Sequence, residues 1–209
     1  MHESFENIID ALAERGLYVG ASILPASLTS QLYERVLALS SAAQLQSARV
    51  GRDARAAEVS AIRSDQTRWL DEKPLEPAEH EARTRIEALR AALNEALFLG
   101  ARSAELHFAH YAPGASYKTH RDQFGDHDAR VVSLVFYLNP VWQDADGGEL
   151  VIYDDERAPP QTPRAAPQLA RVLPIAGTMV AFRSEMFPHE VLPATTHRFS
   201  LTGWLRRDG

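Results

Sequence analysis

From about residue 103 the apolar pattern of this chain changes from helical spacing to a succession of short β-like segments, and that succession limits the possible folds most strongly. The segments fall at residues 105–111, 131–138, 149–153, 171–174, 178–182 and 198–205. Turn formers separate them, among them Pro113-Gly114, Asp146-Gly147-Gly148 and Ala176-Gly177. Many short strands at this spacing predict a sandwich or barrel.

The first half reads differently. Phe5, Ile8, Ile9 and Leu12 fall at helical spacing, with Gly16 placed to close that helix. Residues 18–24 read as a short strand ended by Pro25. Leu28, Leu32, Val36 and Leu39 form a second helical stripe, and Ile86, Leu89, Leu93 and Leu97 a third ahead of Gly100. Residues 47–76 are polar and irregular, with a hairpin or loop expected over residues 59–70. Residues 158–168 (APPQTPRAAPQ) read as a solvated loop. The expected fold class is α+β: a β core over about 103–206, with helices over about 1–100 packed on one outer face. No internal repeat or long linker divides the 209 residues, so one domain over 1–209 is expected.

Charge narrows the partners. There are 22 Lys and Arg against 28 Asp and Glu, a net charge of −6. That balance gives no electrostatic reason to expect nucleic acid or an anionic membrane as a partner. No stretch approaches the ~20 apolar residues of a membrane span. The start, MHESFENIIDALAERG, has no apolar run resembling a signal peptide, so a cytoplasmic location is expected. Cysteine is absent. Any metal must then be held by His, Asp or Glu, a donor set that suits iron, manganese or magnesium better than structural zinc.

One segment carries the donors at workable spacing. In His120-Arg121-Asp122 the outer residues are two apart, so on a strand or its end both point the same way. His189, between two predicted strands, is the best third donor. Two imidazoles and one carboxylate on one face leave open coordination positions, the mark of non-haem Fe(II) oxygenases. Arg198 begins an alternating strand in which Arg198, Ser200, Thr202 and Trp204 share a face. A guanidinium inside a barrel needs an acidic partner, and a bound dicarboxylate supplies one through a bidentate pair. Ser133, Val135 and Tyr137 share a face of their own strand, and the Tyr137 hydroxyl is placed to join that carboxylate.

Five pieces, YAPGASYKTHRD, VVSLVFYLNPVW, DGGELVIY, FPHEV and HRFSLTGW, occur in this order between Tyr111 and Trp204. Together they resemble the 2-oxoglutarate oxygenases of the prolyl 4-hydroxylase type, in the branch of the hypoxia-inducible-factor prolyl hydroxylases and their bacterial relatives. Upstream, AIRSDQTRWL resembles the substrate-loop segment of that branch through Arg63, Asp65 and Trp69. The resemblance implies a double-stranded β-helix, jelly-roll or cupin-like, with supporting helices. It implies Fe(II) on His120, Asp122 and His189, and 2-oxoglutarate anchored by Arg198 and Tyr137. Tyr111, Leu150 and Val191 would line the cosubstrate pocket, Trp204 would lie near the metal, and Tyr117 would stand at the pocket mouth. Dioxygen is the implied co-reactant and ascorbate an accessory reductant. The implied substrate is a protein or peptide, a prolyl residue in a protein such as elongation factor Tu. Related halogenases replace the metal-binding carboxylate with a small residue, so Asp122 favours hydroxylation.

Blander readings stand beside these. His107 and His110 are expected to be satisfied structural groups, with His107, Ala109 and Tyr111 on one strand face and His110 on the other. His197 is expected to face away from Arg198. Asp126, His127 and Asp128 read as a solvated turn, and Gly147-Gly148 as a tight approach to a strand rather than a phosphate loop. Trp69 could pack in the core, and Arg63 with Asp65 could be an exposed ion pair of little energetic value. Two rival functions remain at this stage. One is a hydroxylase of a free amino acid or small metabolite. The other is a metal or 2-oxoglutarate sensor or binding module without turnover.

Overall fold

The computed structural model describes residues 3–48, 61–70, 74–123, 129–154 and 167–208. Positions 59 and 60 of the expected hairpin, the turn at Asp126, His127 and Asp128, and residues 158–166 of the expected loop lie outside these. Helix α1 spans Glu3–Glu14, α2 Ala26–Ser41 and α3 Pro77–Leu97. Each forms on the stripe read from its apolar spacing: Ile8 and Leu12, then Leu28, Leu32, Val36 and Leu39, then Ile86, Leu89 and Leu93, are all buried. Gly16 closes α1 with φ +69, a left-handed conformation that other residues adopt at a cost. A reciprocal capping box between Glu76 and Glu79, with Pro77 behind it, starts α3.

The strands are β1 (Leu17–Ala21), β2 (Gln46–Ser47), β3 (Gln66–Trp69), β4 (Ser103–Tyr111), β5 (Tyr117–His120), β6 (Arg130–Tyr137), β7 (Leu150–Tyr153), β8 (Gln168–Val172), β9 (Thr178–Arg183), β10 (His189–Val191) and β11 (Arg198–Arg206). They form a seven-stranded sheet, β1-β9-β6-β11-β4-β3-β2, facing a four-stranded sheet, β5-β10-β7-β8. Neighbours in both sheets pair antiparallel. This is the double-stranded β-helix, with the helices as its support.

Alternation along the large sheet divides the interior in two. Leu106, Phe108, Val132, Leu134, Phe136, Ala181, Phe199 and Leu201 face the helices and pack with their apolar stripes. The residues between them, Ala109, Tyr111, Val135, Tyr137, Val180 and Phe182, face the small sheet and meet Leu150, Ile152, Val172 and Val191. The functional side chains lie within this second layer.

Four strands add to the segments read from the sequence. β2 stands at the start of the region read as irregular, β3 falls within the hairpin or loop expected over 59–70, β5 ends on His120 as a strand-end reading of that residue allows, and β10 makes His189 a strand residue rather than one between strands. The first two pair through Gln46 with Thr67 and extend the large sheet past β4. Glu79 ties this edge down: its fully buried carboxylate takes Arg68 of β3 at 2.9 Å and Arg35 of α2 at 3.0 Å.

Candidate active site

His120 ends β5 and His189 opens β10, and antiparallel pairing sets the two directly opposite each other. Asp122 follows two residues beyond the end of β5. The donor atoms of His120, Asp122 and His189 all lie within 4.8 Å of one another. The tautomers follow from the hydrogen bonds. His120 Nδ1 meets Lys118 O at 2.8 Å and His189 Nδ1 meets Phe187 O at 3.0 Å. A carbonyl only accepts, so each Nδ1 carries the proton and each Nε2 lone pair is free for a metal. Both Nε2 atoms approach Asp122, at 3.7 Å and 3.6 Å. Asp122 Oδ2 in turn accepts from the buried Ser133 hydroxyl at 2.6 Å.

Charge states suit a cation. Burial, then the neighbouring His189, pushes the His120 imidazole down to about 3, so it is neutral at pH 7. Burial alone would push the Asp122 carboxyl up, but His189, His120 and the Ser133 hydrogen bond together hold it down at about 2. A carboxylate and two neutral imidazoles with outward tautomers, oriented by outer hydrogen bonds, fit a divalent transition metal.

At the other end of the same cavity lies Arg198. It is 2% exposed, and its Nε donates to Gly148 O at 2.9 Å. Among the described residues no carboxylate lies within ion-pair distance of it. Its guanidinium carbon is 5.0 Å from the Tyr111 ring centroid and 5.2 Å from that of Tyr137. Among the described residues the buried Tyr137 hydroxyl meets no hydrogen-bond partner. Burial pushes it up to about 12, Arg198 checking the rise, so it stays protonated as a donor. An unpaired buried cation beside an unpaired buried donor fits the distal carboxylate of a dicarboxylate such as 2-oxoglutarate.

The sequence-predicted residues gather around these two ends. Tyr111, Tyr117, His120, Asp122, Leu150, His189, Val191, Arg198 and Trp204 all border the cavity, as does Arg63. Tyr117 stacks on His120 with ring centroids 3.5 Å apart, and the Arg63 guanidinium carbon lies 4.8 Å from the Tyr117 centroid. Arg63 and Asp65 are not an exposed pair. They bond twice, at 2.6 Å and 2.9 Å, and the Asp65 side chain is fully buried. Asp65 thus supports Arg63 from behind the cavity wall. Trp69 packs partly exposed against His107, 4.6 Å between ring centroids, and lies 6.2 Å from Trp204.

The histidines outside the triad divide. His110 faces the helices, where its ring nitrogens meet Ser40 Oγ at 3.2 Å and His197 Nδ1 at 2.8 Å, so it is satisfied and structural. His197 faces away from Arg198, as its position predicts. His107 differs from its expectation: it borders the cavity and its Nδ1 has no partner among the described residues. Sequence reasoning also passed over Phe182, whose ring lies 4.8 Å from that of His189, and Arg130, whose guanidinium carbon sits 3.6 Å above the Trp204 ring. Both lie near strand residues whose neighbours only the register defines.

Fold and site together define a non-haem iron, 2-oxoglutarate-dependent oxygenase. Residues 106–206 match the model of the 2OG-Fe(II) oxygenase superfamily. The chain is 37% identical to a Pseudomonas putida prolyl-4-hydroxylase of known structure, covering 97% of this chain and 99% of that one with a TM-score of 0.84. A prolyl hydroxylase from Trichoplax adhaerens, solved with a hypoxia-inducible-factor peptide fragment, shares the fold at a TM-score of 0.82 and 24% identity, over 98% of this chain and 90% of that one. A hypoxia-inducible factor prolyl hydroxylase of Caenorhabditis elegans is 32% identical over 108 residues, 51% of this chain and 14% of that protein's length. The chain belongs to the 2OG-Fe(II) oxygenase superfamily, on its prolyl-hydroxylase branch.

Proposed function

We propose that this protein hydroxylates prolyl residues in a protein or peptide, consuming dioxygen and 2-oxoglutarate. The observation that carries the cosubstrate assignment is Arg198, a buried guanidinium without an acidic partner among the described residues, in the same cavity as the His120–Asp122–His189 cluster. Bound iron, 2-oxoglutarate and dioxygen supply the oxidising power: one oxygen atom enters the substrate C–H bond, the other enters succinate, and carbon dioxide leaves.

The chain's own residues orient these reactants. His120, Asp122 and His189 would hold the metal. Arg198 and Tyr137 would fix the far carboxylate of the cosubstrate. Leu150, Val191 and Phe182 give the cavity an apolar lining that limits water. The prolyl substrate is supported by the likeness to the Pseudomonas putida enzyme and by the cavity mouth. There Arg63 bridges to Tyr117 across a β-bridge, and the half-buried Tyr117 and Trp69 supply aromatic rings. A pyrrolidine ring presents only C–H groups at its reacting edge, which suits such faces.

Elongation factor Tu is the candidate protein substrate. Incubating the enzyme with Fe(II), 2-oxoglutarate, ascorbate and either elongation factor Tu, prolyl peptides or free L-proline, followed by mass spectrometry, tests this reading. One added oxygen on a prolyl residue is expected. Oxygen added to free proline alone would replace the peptide reading with an amino-acid hydroxylase. Metal and 2-oxoglutarate binding without succinate formation on any of them would replace it with a sensor.

A further inference from the structure

Three buried polar atoms in or beside the cavity lack hydrogen-bond partners among the described residues: Tyr137 Oη, next to Arg198, and His107 Nδ1 and Trp204 Nε1, whose residues line it. The first is accounted for by a cosubstrate carboxylate. The other two are left over, and they are neighbours, with rings stacked 5.3 Å apart at 22°. Native interiors leave few polar groups unpaired, and each one calls for an account. Packing alone would be served by Leu or Met, which bring no ring nitrogens to satisfy.

Register locates the pair. Tyr111 lies opposite Arg198 and Ser200 opposite Tyr137, which marks the deep, carboxylate end. Trp204 lies opposite Ser133, whose hydroxyl holds Asp122, which marks the metal level. His107 lies opposite Thr202 in the row between, and its other neighbour across the sheet is Trp69 on β3. Two metal ligands, His120 and His189, come from the small sheet, on β5 and β10. His107 stands on the large sheet, in the row between the two ends and beside Trp69.

We propose that His107, beside the Trp204 indole N–H, is a specificity-determining residue that hydrogen-bonds the amide adjoining the prolyl group to be hydroxylated. The inference rests on the peptidyl-prolyl reading above. Its chemistry is complementary: a neutral imidazole offers one donor and one acceptor and the indole one donor, while the amide on the C-terminal side of the prolyl residue offers a carbonyl acceptor and an N–H donor, the amide before it having no N–H. Burial, with Arg63 and Arg130 nearby, keeps the imidazole neutral, as this role requires.

The test compares His107→Met, which keeps length and loses the polar atoms, with His107→Gln, which keeps a donor and an acceptor. Both are assayed on prolyl peptides and on free L-proline. The Met variant is expected to lose about 10- to 100-fold in kcat/KM for the peptide, mostly through KM, and the Gln variant to recover a large part of it. The 2-oxoglutarate dissociation constant from anaerobic titration is expected to stay at the parent value. A Met variant matching the parent on whichever compound the parent oxidises would overturn the inference. So would a loss confined to 2-oxoglutarate affinity. The peptide reading fails separately, by oxidation of free proline and no peptide in the parent itself. Independently of any variant, the His107 ring nitrogen NMR shifts of the parent with Zn(II) in place of Fe(II) are expected to move when the peptide is added. Unmoved shifts at saturating peptide would also overturn it.

Discussion

Ser133 and Asp122 are eleven residues apart in sequence, yet the Ser133 hydroxyl donates to Asp122 Oδ2 across 2.6 Å. The carboxylate follows β5 in the small sheet, while its support sits on β6 in the large one. Ser184 lies 2.9 Å from the same hydroxyl and extends the chain of polar contacts. Such outer hydrogen bonds orient metal ligands and fix the lone pair offered to the ion.

Ser133→Ala removes that support without removing a ligand. The metal affinity is expected to fall by about 10- to 100-fold with the fold intact. Anaerobic titration with Fe(II), or with Mn(II) as its stand-in, measures it. Parent-like affinity would show that His120 and His189 position Asp122 without help.

Arg198→Ala should act at the opposite end of the cavity. Loss of a bidentate charge pair is expected to raise the 2-oxoglutarate KM by about 100-fold, while Fe(II) binding in the absence of 2-oxoglutarate stays at the parent level. Gly148 stands behind this residue. Its φ is +71, and a Cβ there would lie 2.8 Å from the Ala194 Cβ and 3.0 Å from Trp142 Cζ2. Gly148→Ala should therefore lower stability. An unchanged 2-oxoglutarate saturation curve in Arg198→Ala would move the carboxylate site elsewhere.

Much of this arrangement is legible in the residues themselves. Period-two spacing placed Arg198, Ser200, Thr202 and Trp204 on one face because β11 is long and regular enough for alternation to show. The helical stripes of Ile8, Leu32 and Leu89 were readable for the same reason at period 3.6. What alternation cannot reveal is register. β5 and β10 have four and three residues, too few to show a period, so the opposition of His120 and His189 was invisible. Arg63 and Asp65 looked like a surface pair because their burial comes from Tyr117 and the β3 edge, distant in sequence. His107 looked like an ordinary strand histidine because its missing partner is a property of three-dimensional surroundings.

The Arg63–Asp65 pair predicts an asymmetric response. The Asp65 side chain is fully buried and that of Arg63 is 12% exposed. Arg63→Ala leaves a buried carboxylate uncompensated and is expected to cost about 3–5 kcal/mol of stability. Asp65→Ala leaves a guanidinium that can turn toward solvent and should cost clearly less. Urea unfolding of both variants, and of the double variant, measures the difference and the coupling. Equal losses would mean that Arg63 is as confined as its partner.

His110 makes stability depend on pH from a site remote from the metal. Burial, then the adjacent His197, lowers its imidazole to about 4 in the folded protein, against an ordinary value of 6.5. Below pH 6.5 the unfolded chain takes up a proton that the folded chain refuses. Its contribution to stability is therefore complete above 6.5 and is lost progressively as pH falls toward 4. Between pH 7 and pH 5 this group alone should remove about 2 kcal/mol. His110→Gln keeps a hydrogen-bonding side chain between Ser40 and His197 but does not titrate. Its stability is expected to fall less than the parent's over the same interval, by about that amount, when both are unfolded with urea at the two pH values in the absence of metal. Parallel losses in the two proteins would assign the acid sensitivity to other groups, with His120, lowered to about 3, the first to examine.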